Sequence, residues 1–198
     1  MTDAERSDSM GKMPLLFVLL FPALCASGAS AQIAAGEKTA TLTLGAGRIG
    51  GHDRSLYNDG FFASGEYLFY PSSGLGYGGE ISLHTPESTT TDVAGTGVKT
   101  QLRSRFLSAL ATGRWNVTPQ RRSTPYVAAG VGLAQHVIRQ SWSTGSEAQE
   151  DFWRWTGVVR IGWDCLHEKW IAGADLRYQY LDSLTQTYGA GIRLGWRY

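Results

Sequence analysis

The 198-residue sequence predicts an all-β chain, a closed, antiparallel, transmembrane β-barrel of about eight strands in up-and-down meander order. Three observations carry that prediction. Past residue 38, apolar residues alternate with small or polar ones over stretches of about ten residues, which is the period of a strand and not of a helix. The apolar set of each stretch keeps its aromatic residues at the ends rather than in the middle. The opposite set carries arginines and carboxylates, which cannot fill a dry soluble core without a heavy desolvation cost.

The chain opens with a segment of a different kind. Pro14 to Leu24 is its one long apolar run; it follows Lys12 and leads to Ala29-Ser30-Ala31 before Gln32. A positive start, an apolar run shorter than the ~18 residues of a spanning helix, and a small-x-small site make a signal peptide. The predicted organisation is therefore residues 1–31 as signal peptide, cut after Ala31, and 32–198 as the barrel domain. Cleavage there also removes Cys25, one of two cysteines, and predicts a mature chain without an intramolecular disulfide. The 18 basic and 17 acidic residues leave a net charge of +1, without the basic clustering that nucleic-acid binding needs.

The strands follow in order. Thr39 to Arg48 sets Ala40, Leu42, Leu44 and Ala46 against Thr41, Thr43, Gly45 and Gly47. Phe61 to Tyr70 sets Phe61, Ala63, Tyr67 and Phe69 against Ser64 and Glu66, and Pro71-Ser72-Ser73-Gly74 ends it as a tight turn. Leu75 to Thr85 sets Leu75, Tyr77, Ile81 and Leu83 against Gly76, Gly78, Glu80, Ser82 and His84. Gln101 to Val117 sets Leu107, Ala109, Ala111 and Trp115 against Ser108, Thr112 and Arg114, although Phe106 and Leu110 also fall on its polar face.

The fifth strand begins at Pro125-Tyr126 and sets Val127, Ala129, Val131 and Leu133 against Ala128, Gly130, Gly132 and His136. The sixth, from Phe152, sets Trp153, Trp155, Val159, Ile161 and Trp163 against Arg154, Thr156, Arg160 and Asp164. The seventh, from Trp170, sets Ala172, Ala174, Leu176, Tyr178 and Tyr180 against Gly173, Asp175, Arg177 and Gln179. The eighth sets Tyr188, Ala190, Ile192, Leu194, Trp196 and Tyr198 against Gly189, Gly191, Arg193, Gly195 and Arg197.

Two aromatic girdles result. With the chain starting in the periplasm, Tyr67, Phe69, Tyr77, Trp115, Trp163, Trp170, Trp196 and Tyr198 fall at one rim, and Phe61, Trp153, Trp155, Tyr178, Tyr180 and Tyr188 at the other. Amphipathic rings prefer the two membrane interfaces in this way. The inward face is expected to hold a charge network of Glu66, Glu80, Arg114, Arg154, Arg160, Asp164, Asp175, Arg177, Arg193 and Arg197, with interior glycines making room for the arginines. Open sheet edges in hydrocarbon would leave backbone groups unpaired, so the sheet must close. Short turns are expected near 71–74, 118–124 and 165–169, and longer polar loops near 50–60, 86–98 and 139–151.

Pro125-Tyr126-Val127-Ala128-Ala129-Gly130-Val131-Gly132 resembles the Pro-Tyr-x-x-x-Gly-x-Gly strand of small outer-membrane β-barrel proteins of the outer-membrane-protein-A and opacity-protein type. The terminal Ile192-Arg193-Leu194-Gly195-Trp196-Arg197-Tyr198 is similar to that group's last strand, whose final aromatic the barrel-assembly machinery reads. The resemblance covers about residues 38–198. It implies the outer membrane of a Gram-negative bacterium, with membrane lipid, lipopolysaccharide and the assembly machinery as partners and a host or phage ligand at the loops.

Chemistry has one candidate constellation. Glu80, Ser82 and His84 put an acid, a hydroxyl and an imidazole on one strand face, the groups a lipid A-modifying outer-membrane hydrolase or acyltransferase would use. That face looks inward, neighbours two apart stand almost ~7 Å apart, and the order is not the His-x-Ser of the deacylase family. His52-Asp53 and His136 lack metal-ligand spacing, so neither metal nor cofactor is expected. Gly45-x-Gly47 and Gly76-x-Gly78 lie in strands and are not nucleotide loops. The expected function is a non-enzymatic integral barrel that contributes to envelope integrity and presents loops for adhesion or recognition. Lipid modification is the alternative, and a narrow pore ranks third because about eight strands leave room only for side chains.

Overall fold

The computed structural model describes residues 32–51, 59–92, 96, 98–181 and 185–198. The predicted signal segment, its cut after Ala31, and His52 and Asp53 lie outside the described residues. Nine strands are present among them: β1 Lys38–Gly51, β2 Gly60–Ser72, β3 Leu75–Pro86, β4 Thr89–Asp92, β5 Lys99–Asn116, β6 Ser123–Trp142, β7 Glu147–Leu166, β8 Trp170–Tyr180 and β9 Thr185–Arg197. Every pairing is antiparallel. β1 pairs with both β2 and β9, and the direct β3–β5 pairing, from Leu75↔Trp115 to His84↔Phe106, closes eight strands into a ring. β4 stands outside the ring, paired only to the start of β5 through Thr89↔Leu102 to Asp92↔Lys99.

The β2–β3, β5–β6 and β7–β8 turns lie at one end of the barrel with the start of β1 and the end of β9, called the near end; the β1–β2, β3–β5, β6–β7 and β8–β9 connections lie at the far end. Gly74 makes the β2–β3 turn at a φ of +92°, a left-handed conformation that favours glycine. The near mouth is stoppered by the segment that precedes β1. Ile33, 2% exposed, packs with Leu68, Tyr70, Leu166 and Ile171. Its amide donates to the Pro119 carbonyl at 2.9 Å and that of Gly36 to the Tyr70 carbonyl at 2.7 Å.

Outside, the wall is apolar: Leu44, Ile81, Val131, Ile161 and Leu194 are all about half exposed or more. Inside, the largest buried side chains are Arg114, Arg160 and Arg193. Such an inside-out distribution is stable only where the outer solvent is itself apolar, because it otherwise leaves a continuous greasy belt in water.

Three expectations are corrected. Residues 86–98 are not all loop, since β4 lies among them. Nor is 139–151 a loop: β6 and β7 stay paired from Ser123↔Cys165 to Ser141↔Glu147, and only the Gly145 turn, at a φ of +89°, separates them. Alternation fades there because neither face of this ribbon is buried, so nothing selects apolar residues at every second position although the ladder continues.

The interior glycines make room for rings rather than for arginines. A Cβ at Gly76 would stand 2.7 Å from the Tyr70 ring, one at Gly162 2.6 Å from Tyr126, and one at Gly189 2.7 Å from Phe62. A flat ring standing against the opposing backbone needs that missing atom more than a flexible arginine does. Cys165 is buried on β7, and the chain's other cysteine, Cys25, lies outside the described residues.

Candidate functional site

Inward-facing positions on seven of the strands converge on the middle of the lumen, and their charges form one chain of contacts. Arg114 Nη2 meets Asp164 Oδ2 at 2.5 Å, and the other Asp164 oxygen lies 3.7 Å from Arg193 Nε. Arg193 Nη2 reaches Glu66 Oε2 at 2.6 Å, and Glu66 also pairs with Arg160. Arg160 continues to Glu80 Oε2 at 3.2 Å, and Glu80 Oε1 to Arg177 Nη1 at 2.5 Å. Arginine and carboxylate alternate along the whole path. Asp175 enters from the side by accepting the Tyr126 hydroxyl at 3.1 Å, and the Arg114 guanidinium lies 3.6 Å from the centre of the same ring.

The topology explains how residues 94 and 97 positions apart meet. In the ring order, β2 and β7 face each other across the lumen, as do β3 and β8. The Glu66–Arg160 and Glu80–Arg177 pairs therefore cross the diameter, and the lumen is filled where they cross. Breaking a buried pair by removing one partner leaves an uncompensated charge, at about 3–5 kcal/mol.

Above the charges lies a hydroxyl and amide tier. Arg177 Nη2 donates to Ser82 Oγ and Gln179 Oε1, both at 2.9 Å. Ser82 and Ser108 share a hydrogen bond of 2.7 Å, while Gln179 Nε2 donates to Ser108 at 2.9 Å and to Thr156 at 3.1 Å. Higher still, the rings of Phe106 and His136 stack at 4.0 Å, with His84 at 6.1 Å from Phe106 and Phe152 at 5.1 Å from His136. His136 is tied to Ser104 Oγ at 2.6 Å. The inward placement of Phe106, ambiguous in the sequence, is thus part of an aromatic lid, packed with Ile49, Ala134 and Leu181. No alternation rule reveals such a residue, since its size and polarity fit either face.

Of the ten residues expected in the interior network, Glu66, Glu80, Arg114, Arg160, Asp164, Asp175, Arg177 and Arg193 are buried together. Arg154 is a correction. It has the inward parity, but β7 has by then passed the barrel wall, and the side chain is exposed near the Phe152 ring at 5.0 Å. Arg197 is a second correction, since it belongs to the near mouth. There it holds Glu37 with Nε to Oε1 at 2.5 Å and Nη2 to Oε2 at 2.9 Å, and it donates to the carbonyls of His167 and Gln32. Strand alternation offers no hint of this clamp, because Glu37 precedes the first strand. The fourteen girdle aromatics all lie on the outward face, with Trp170–Trp196 at 3.5 Å and Phe69–Tyr77 at 5.7 Å at the near rim and Tyr178–Tyr188 at 5.2 Å at the far rim.

Glu80, Ser82 and His84 share an inner face without forming a catalytic unit. Glu80 is held by Arg160 and Arg177, Ser82 by Ser108 and Arg177, and neither ring nitrogen of His84 has a hydrogen-bond partner. A nucleophile needs its base within hydrogen-bond reach, and Ser82 has none. Among the described residues, no group of three His, Cys, Asp or Glu side chains could hold a metal ion.

No protein-family model and no curated protein matches the sequence. Solved structures do. The chain is similar to Ail, the attachment invasion locus protein of Yersinia pestis, at a TM-score of 0.54 and 12% identity, over 83% of this chain and 99% of that one. Neisserial surface protein A gives 0.54 and 14%, over 85% and 99%. Ail in complex with the heparin analogue sucrose octasulfate gives 0.50 and 15%, over 83% and 99%. At these identities the likeness is one of fold: the closed eight-stranded antiparallel barrel of small outer-membrane proteins.

Proposed function

We propose that this chain is a non-enzymatic outer-membrane barrel of a Gram-negative bacterium that contributes to envelope integrity and presents its far-end ribbon for adhesion or recognition. One observation carries the reading: the apolar surface faces outward between two aromatic girdles while ion pairs cross and fill the lumen. A wall of that kind belongs in lipid, and a lumen so filled supports neither substrate entry nor conduction. The near end, with its short turns, is periplasmic. The far end, with the β6–β7 ribbon standing beyond the wall, is outside.

Export by a signal peptide cut after Ala31 and insertion by the barrel-assembly machinery through the terminal strand belong to the same proposal. Ail, a structural neighbour by fold, is an attachment protein by name and has been crystallised with a heparin analogue. That supports a surface-binding role for the ribbon here.

The test joins two readouts on the mature chain folded in detergent or bilayers. Unboiled protein is expected to migrate differently from boiled protein on gels. Replacing residues 139–149 by a two-residue turn is expected to keep that difference while lowering attachment of expressing cells to a host-cell layer. A freely water-soluble mature chain without the gel shift overturns the membrane reading. Unchanged attachment overturns the role given to the ribbon.

A further inference from the structure

Three arginines stand on the outer face of the barrel where the wall ends. Arg105 and Arg103 follow Leu107 along β5 toward the far end on the same outward face, and all three side chains are exposed. Arg139 on β6 is exposed too, and its register partner is Arg103 itself. Like charges directly opposite on a sheet are destabilising, so this pair costs the fold stability unless an anion joins it.

Among the described residues, no carboxylate lies within ion-pair distance to supply that anion. Arg103 Nη2 donates to the Gln101 side-chain carbonyl at 3.3 Å and Arg139 Nη2 to that of Gln149 at 2.9 Å, both neutral amides. Among the described residues, none of the three arginines forms an ion pair. The contrast with the lumen is sharp, because every arginine of the central network there has a carboxylate.

Height decides what the missing anion is. Leu107 pairs with Gln135, and Gln135 with Trp153, so Leu107 belongs to the row of the far aromatic girdle, where Trp153 and Trp155 are 61% and 72% exposed. Arg105 and Arg103 lie about 7 and 14 Å further along the strand at ~3.4 Å per residue. With strands tilted by about 40°, those lengths become heights of about 5 and 10 Å above the girdle. The headgroup layer of a bilayer occupies about 5–8 Å on each side of the hydrocarbon. Arg105 therefore stands within the headgroup layer and Arg103 just above it, close enough for its long side chain to reach back down, both above the apolar strip of Leu107, Ala109 and Leu133 that acyl chains would cover.

We propose that Arg103, Arg105 and Arg139 bind the phosphate of a lipid headgroup in the outer leaflet, with Arg103 and Arg139 sharing one phosphate between their guanidinium planes. Guanidinium matches phosphate geometry bidentately, and a phosphate between Arg103 and Arg139 turns their repulsion into a bridge. The inference rests on the membrane orientation proposed above and adds to it a ligand class and a site. Such an anchor would fix the height of the far rim in the leaflet and tie the barrel to the lipid around it.

The experiment uses the full barrel folded in phosphatidylcholine bilayers doped with a bis-phosphorylated glucosamine lipid or with the same lipid dephosphorylated, and native mass spectrometry counts lipid retained after extraction. Retention is expected to be at least tenfold greater for the phosphorylated lipid. It is expected to fall to the dephosphorylated level in the triple variant R103Q/R105Q/R139Q and to stay unchanged in K38Q at the near end. Equal retention of the two lipids by the unaltered chain overturns the proposal without any variant being needed. So does full retention by the triple variant, or capture of soluble sucrose octasulfate in preference to the phosphorylated lipid. The boiled and unboiled gel comparison, run on the same samples, separates these outcomes from failure of the membrane reading, which would abolish the shift in every sample.

Discussion

β6 and β7 run the length of the molecule, and along that length they obey two rules. Below His136 on β6 and Thr156 on β7, buried and outward-facing side chains alternate for the most part; beyond those residues neither strand has a single buried side chain. The ladder is nevertheless continuous, up to Ser141↔Glu147. The two regions therefore share backbone hydrogen bonding and differ in what surrounds the side chains. Pairing makes the ribbon, whereas burial of the charged lumen and contact with lipid make the barrel. Truncating the same type of residue in the two regions should then give different results.

The largest effect is expected in the lumen. Glu66 accepts from Arg160 and forms an ion pair with Arg193, so Glu66→Ala takes a carboxylate from two buried guanidinium groups in one step. The expected loss is about 3–5 kcal/mol, the cost of breaking a buried pair from one side. Urea titration of the barrel in lipid vesicles, followed by tryptophan fluorescence, measures it. A loss below about 1 kcal/mol, the worth of a surface pair, would mean that water reaches the network and that the lumen is not sealed.

Next comes the wall. Leu44 is 56% exposed in the middle of β1, between register partners Ala63 and Ile192. Leu44→Arg is expected to cost about 2–4 kcal/mol in bilayers, because it places a charge at the depth of the acyl chains. In a water-soluble protein the same change at an exposed position would be nearly neutral. The one titration therefore distinguishes the two outer solvents, and a neutral result would contradict the membrane placement.

The legibility of the sequence divides along the same line. Strand positions and the facing of Glu66, Glu80, Arg160 and Arg193 could be read because two solvents act on alternate residues and leave a period of two. Where only one solvent acts, as in the ribbon from Val137 to Asp151, the period vanishes and paired strands read as a loop. Phe62, Tyr70 and Tyr126 point inward despite their apolar rings, and they do so opposite glycines contributed by other strands. That complementarity spans the sheet and has no local signature. The same holds for Glu37 and Arg197, which are 160 positions apart. Parity also misplaced Arg154, because it tells which face a residue is on and not how high the wall reaches.

The smallest expected effect closes the comparison. Glu150 lies on β7 opposite Ile138, on the face that continues the lumen side, and it is exposed. Its parity is the one that Glu66 has on β2, yet the ring of strands no longer surrounds it, so its carboxylate stays hydrated and loses nothing on folding. Glu150→Ala is accordingly expected to shift the unfolding free energy by no more than about 0.5 kcal/mol in the same titration. A loss as large as that of Glu66→Ala would mean that the ribbon folds over the mouth and buries this face. The far-rim arginines would then stand beside a lid rather than above an open wall, and the height argument for their phosphate would have to be redrawn.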